Sequence, residues 1–116
     1  MSEEYNGWTN KATWLVKLWI DNDQGEQEEM LSHARWYLTL ANEQAKGLAN
    51  ADKLATPEQR ARWMLSASLK ETFEIRAEPI THKASLSSDL MSWALAMVNW
   101  DEIAKSLIED AAEVPA

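Results

Sequence analysis

The segment NGWTNKATWLVKLWIDND, which spans residues 6–23, decides the fold class of the chain. Its apolar residues recur every three or four positions, which is the spacing of one face of an α-helix: Trp8, Ala12, Leu15, Val16 and Trp19. Thr9 or Asn10 can cap the first turn, because a side-chain oxygen there accepts a free backbone N–H. The segment therefore predicts an amphipathic helix over residues 10–21 with a buried apolar face.

Helical patterns continue through the rest of the chain, which has three Gly, three Pro and no sustained strand-like alternation. The clearest helix start is Thr56, Pro57 and Gln59, because it combines a cap, a first-turn proline and a capping-box partner. Pro79 is expected to end that helix near Ala77. The prediction is a compact, single-domain all-α bundle of about five helices over residues 10–21, 24–46, 57–77, 88–98 and 100–113, with a loop at 48–55.

Seven tryptophans dominate the aromatic content of the chain. Four of them lie on predicted apolar faces and are expected in the core: Trp8, Trp19, Trp93 and Trp100. The fourth helix is apolar around most of its circumference, which predicts a central, largely buried element. The first and last helices both have apolar faces, so we expect them to pack together with the fourth between them.

Composition limits the partner and the compartment. The net charge of −8 repels phosphate backbones and disfavours direct nucleic-acid binding. The chain has no Cys, its first residues are acidic rather than basic, and no apolar run approaches the roughly 20 residues of a membrane span. We therefore expect a soluble protein of the cytoplasm that does not use a membrane.

Catalytic and cofactor motifs are absent from the sequence. His33 and His82 are the only imidazoles, and neither stands in a nucleophile or metal-ligand spacing. A calcium loop that starts at Asp21 would place Ser32 where a bidentate Glu is required. We predict no enzyme activity, no metal and no cofactor; an enzyme would instead need a pocket that joins one of these histidines to several carboxylates.

The three tryptophans that lie off the apolar faces are candidate contacts with another protein: Trp14, Trp36 and Trp63. Core packing and partner contact are equally open interpretations for them. Trp63 is the strongest candidate, because Arg60 and Lys70 lie close to it in sequence and an exposed Trp beside a basic residue is a common interface anchor.

Acidic residues of the last helix form a second candidate surface. Glu102, Glu109 and Glu113 fall on one line opposite the apolar face of that helix. A solvated outer face is the commoner explanation for such a line. The alternative is a surface that attracts a basic partner.

Two strings in the sequence resemble the ends of a widespread group of short, uncharacterised proteins encoded by phages and other mobile elements. The first is NGWTNxxTWxVxLWxDN, from Asn6 to Asn22, and the second is VNWDEIA at 98–104, followed by LIED at 107–110. The resemblance implies an accessory protein that acts in the host cytoplasm on a host protein or protein complex. It favours a non-enzymatic inhibitor, of the anti-CRISPR or anti-restriction type, and the alternative is a homo-oligomeric structural or regulatory module.

Overall fold

A computed structural model describes residues 5–47 and 55–113, and these ranges contain five helices and no strand. The helices are α1 (Lys11–Asn22), α2 (Gln24–Lys46), α3 (Pro57–Thr81), α4 (Leu86–Met97) and α5 (Trp100–Glu113). The predicted all-α fold of about five helices is therefore confirmed. The loop predicted at 48–55 lies outside the described residues, apart from Ala55.

Side-chain caps explain where the first four helices begin. In each case the cap accepts the backbone N–H of the third residue after it, and the caps are Asn10, Asp23, Thr56 and Ser85. Gln59 Oε1 also accepts the backbone N–H of Thr56 at 2.9 Å, which completes the predicted capping box. These starts depend on local residues only, and the predictions of α1, α2 and α3 place them to within one residue.

The predicted end of α3 near Ala77 is wrong. The helix continues through Pro79 to Thr81. A proline this close to a helix end removes one backbone hydrogen bond but leaves the final turn to be held by others. The backbone N–H of His82 donates to the carbonyl oxygen of Glu78 at 2.9 Å, and the Ser88 hydroxyl donates to the carbonyl oxygen of Thr81 at 3.2 Å. The extra turn therefore joins α3 to the start of α4.

The core lies where α2, α3 and α5 pack on one another. Its fully buried residues include Met30, Ala34 and Ala41 of α2, Ala61, Leu65 and Leu69 of α3, and Ile103, Ala104 and Leu107 of α5. The alanines allow the helix backbones to approach closely, and the longer side chains fill the remaining space. On α5 the buried residues form the apolar face expected of this helix, and they include the expected core residue Trp100: Trp100, Ile103, Ala104, Leu107, Ile108 and Ala111.

The two ends of the chain meet through polar contacts at the start of α1. The Thr13 hydroxyl donates to Asn10 Oδ1 at 2.8 Å and accepts the backbone N–H of Asn99 at 2.9 Å. The Asn10 side-chain amide donates to the carbonyl oxygen of Met97 at 2.7 Å. The expected association of the ends is present. Hydrogen bonds join them, and Trp8, Ala12 and Val16 of the predicted apolar face pack against the core, whereas the Trp19 indole is 71% exposed.

Helix α4 is not the buried central element that its composition predicts. Among the described residues it contacts α1 and α3 and neither α2 nor α5. Ser88 is its only buried residue, and Trp93, expected in the core, is 64% exposed. The reason lies in how the helices pack. Helix α5 packs on both α2 and α3 and completes the core with them, so α4 lies outside the core. Of the other expected core tryptophans, Trp100 is buried and Trp8 is half-buried against the core.

Candidate protein-interaction surfaces

Helix α4 has an open groove on each of its two covered sides. The groove between α3 and α4, here the α3–α4 groove, has a volume of about 980 Å³. The groove between α1 and α4, here the α1–α4 groove, has a volume of about 530 Å³. Because α4 is held at its two flanks only, both grooves open to the outside of the bundle.

The α3–α4 groove combines an apolar floor with an acidic wall. Val98 and Trp100 form the floor, and the Trp100 ring stacks on Phe73 with 5.5 Å between the ring centroids. The α3 wall presents three glutamates at spacings of three and four, so that they share one side of the helix: Glu71, Glu74 and Glu78. Lys70, with its Nζ atom 4.0 Å from Glu74 Oε1, is the one basic residue of this lining. The lining is therefore negative overall.

Trp63 extends this groove along α3. It precedes Ala67 of the groove lining by four residues, the spacing that places two side chains on the same side of a helix. Its indole is 54% exposed. The structure thus brings Trp63 and Lys70, both predicted as contact residues, to one side of α3. Arg60 lies one turn before Trp63 and is half-buried.

The other two candidate tryptophans lie elsewhere. Trp36 is 60% exposed on α2, where its ring meets the Tyr37 ring edge-on at 4.9 Å. Trp14 is half-buried and packs on the Tyr5 ring, with 4.8 Å between the centroids. Trp14 therefore helps to hold the residues that precede α1, whereas Trp36 presents its indole to the surface.

The three candidate glutamates of α5 occupy different environments. Glu102 Oε1 accepts the backbone N–H of Thr9 at 3.0 Å and is half-buried, so this carboxylate fixes the segment before α1. Glu109 is exposed beside Trp8 in a shallow cavity of about 190 Å³ that Glu102 also lines. Glu113 is exposed at the end of α5. Attraction of a basic partner by this line stays a prediction.

Exposed apolar side chains lie along α4 and α1, a surface that the sequence pattern does not predict. Its exposed residues, here the α1/α4 apolar face, are Leu15, Trp19, Leu86, Leu90, Trp93 and Met97. On α4 they follow one another at spacings of four, three and four, which is a single stripe of a helix. The periodicity that should have revealed this stripe also fits a buried helix, so the sequence alone predicted core.

Neither histidine lines the α3–α4 groove, although that groove contains several carboxylates. His82 Nδ1 lies 3.1 Å from the carbonyl oxygen of Glu78 at the end of α3, and His33 is half-buried on α2. Within residues 5–47 and 55–113, no group of three or more His, Cys, Asp or Glu is arranged to hold a metal ion. No described helix has both the length and the apolar content to cross a bilayer.

The fold and these surfaces define an all-α protein in which an outer helix, α4, is flanked by two open grooves. Comparison of the sequence with family models then places the chain: it belongs to DUF7249, a family of unknown function whose model matches residues 1–114. No curated protein and no solved structure matches it.

Proposed function

We propose that this protein is a non-enzymatic binding protein that holds a segment of another protein in the α3–α4 groove. The observation behind the proposal is the groove of about 980 Å³, with its apolar floor, its acidic wall and the exposed Trp63 on the same side of α3. Grooves between two helices commonly receive an amphipathic helix, which lays its apolar side on the floor.

The charge of the wall indicates the chemistry of the partner. Glu71, Glu74 and Glu78 face the groove with Lys70 as the one basic residue of the lining, and the whole chain has a net charge of −8. A bound segment with Lys or Arg on its polar side would complement this wall, and long-range attraction would speed its association. The partner segment is therefore a basic amphipathic helix whose apolar side reaches Val98 and Trp100.

The resemblance to proteins of phages and mobile elements extends this proposal to a biological role. It supports an accessory protein that acts in the host cytoplasm by occluding a host protein or complex. Inhibition of a defence system, as by anti-CRISPR or anti-restriction proteins, is the specific form we propose. A binding groove suits such a role because an inhibitor that acts by occupancy needs no catalytic site.

The test is capture from host-cell lysate by groove variants, compared with matched variants outside the groove. Trp63→Ala should weaken capture of a specific partner by about 2 kcal/mol or more, the scale of an interface hot spot. Trp36→Ala is the control, because its indole is exposed to a similar degree on a different helix: 60% against 54%. Thermal stability of both variants should stay near that of the native protein, since exposed side chains contribute little to it.

Charge reversal tests the acidic wall separately. Combining Glu71→Lys, Glu74→Lys and Glu78→Lys should abolish capture, and the loss should be greatest at low salt. The control combines Glu109→Lys, Asp110→Lys and Glu113→Lys, which reverse the same number of exposed charges on α5 and should have a smaller effect. A partner that binds the wall-reversed variant and Trp63→Ala as tightly as the native protein would contradict the proposal.

A further inference from the structure

We infer that the α1/α4 apolar face is covered by a second copy of the chain, which makes the protein a two-fold symmetric dimer. This goes beyond the binding role of the α3–α4 groove, because none of the six residues of the face lines that groove. The inference depends on three properties of the face: its pattern, its area and its charge.

The pattern of α4 is that of a helix that is apolar around most of its circumference. Leu95 and Val98 lie between the two grooves on the side of α4 that packs on the bundle, whereas Leu90 and Trp93 point outward. A helix that is apolar around its circumference is normally covered around its circumference. One chain covers α4 from α1 and α3 alone, so its outward stripe needs a further cover.

The exposure of the face is sufficient for one side of an interface. The six side chains range from 37% exposed at Leu15 and Met97 to 76% exposed at Leu86. Two of them are tryptophans, and a buried aromatic side chain removes up to ~150–250 Å² from water. Burial of the six side chains by a second copy would therefore supply a large part of the ~800 Å² that each partner buries in an interface of standard size.

The stripe on α4 is complementary to itself. Its spacings of four, three and four are the same in both directions along the helix, so an antiparallel copy meets it in register. In that arrangement Leu86 lies opposite Met97 of the other copy and Leu90 lies opposite Trp93. Such pairing of one patch with the same patch is the rule in two-fold dimers. Near the two-fold axis, Trp93 of one copy would thus meet the smaller Leu90 of the other.

The low charge of α4 permits this face to pair with itself. Two copies with a net charge of −8 each repel one another. Helix α4 has a single charged residue, Asp89, so an α4 to α4 contact brings few carboxylates together. Salt screens the remaining repulsion, so dimerisation should strengthen as salt is added. Binding of a basic segment in the α3–α4 groove should weaken under the same conditions.

Sedimentation equilibrium tests the inference directly. The native protein should reach twice 13.2 kDa as its concentration rises through the range from about 1 μM to about 100 μM. Leu90→Lys and Trp93→Lys should each weaken self-association at least ~30-fold, the change that corresponds to loss of an interface hot spot. Trp36→Lys is the matched control and should leave the dimer intact. A mass of 13.2 kDa at every concentration would overturn the inference.

Crosslinking supplies a second test that does not depend on a charged substitution. The chain has no Cys, so Leu90→Cys introduces a single thiol on the proposed interface. A short bismaleimide should join two Leu90→Cys chains rapidly and two Trp36→Cys chains slowly. Equal rates for the two variants, or a dimer that survives Leu90→Lys, would assign self-association to another surface. Circular dichroism should show the native helix content for each variant, because both positions are exposed in the single chain.

Discussion

The contact between the two ends of the chain gives the sharpest stability prediction. Thr13 is fully buried, and its hydroxyl joins the cap of α1 to the residue before α5. Thr13→Val keeps the branched shape of the side chain and removes the hydroxyl. Asn99 then loses the acceptor of its backbone N–H, and Asn10 Oδ1 loses one of its two donors.

The magnitude follows from these two contacts. Thr13→Val removes two hydrogen bonds, and a typical intramolecular hydrogen bond contributes about 1 kcal/mol. Asn99 is an exposed residue, so solvent replaces part of what its N–H loses, and Thr13→Val should lower the free energy of unfolding by about 1–3 kcal/mol. For a chain of 116 residues this corresponds to a fall in Tm of about 10 °C.

Urea unfolding and thermal melts at a fixed protein concentration measure this loss, since self-association would itself raise the Tm. Thr13→Ser retains the hydroxyl and should cost clearly less than Thr13→Val. Thr39→Val is the matched control, because Thr39 is exposed on α2. If Thr13→Val were within about 0.5 kcal/mol of the native protein, as surface substitutions usually are, the Thr13 hydroxyl would not join the two ends.

Two further predictions concern the core. Trp100→Ala should lower the free energy of unfolding by about 3–5 kcal/mol in chemical denaturation, because it truncates a buried ring that stacks on Phe73. Trp63→Ala should lower it little, because that indole is exposed. An equal loss from both variants would place Trp63 in the core. Removal of residues 99–116 deletes α5 and its six buried residues and should unfold the protein, so a cooperative melt of the shortened chain would contradict the core described above.

Helix starts were predictable from the sequence because each depends on a few neighbouring residues. Asn10, Asp23 and Thr56 are caps whose partners lie three positions later, so no tertiary information is needed to find them. The end of α3 was missed because what holds its last turn beyond Pro79 includes Ser88, a residue of the next helix. A contact of that kind follows from packing and has no signature in the local sequence.

The exposure of two candidate tryptophans was predictable too, because it follows from their positions on single helices. Trp36 and Trp63 lie off the apolar stripes of their helices, and the structure exposes both. Trp93 lies on an apolar helix. Whether it is buried depends on which helix packs against α2 and α3 in the core. Because α5 takes that place, the exposed face of α4 appears only once all helices are assembled.

The residues that carry the resemblance form the junction of the chain ends and, through Val98 and Trp100, the floor of the α3–α4 groove, but not its α3 wall. Asn10 and Thr13 belong to the first string and Asn99 to the second, and their hydrogen bonds join the ends of the chain. Trp63 and Glu74 belong to neither string and lie on α3, outside that junction. The hydrogen bonds of the junction do not involve α3, so substitutions in the α3 wall of the groove should leave the junction intact. We therefore expect Trp63→Ala and Glu74→Lys to change partner binding at the groove while the native fold is kept, as circular dichroism would show.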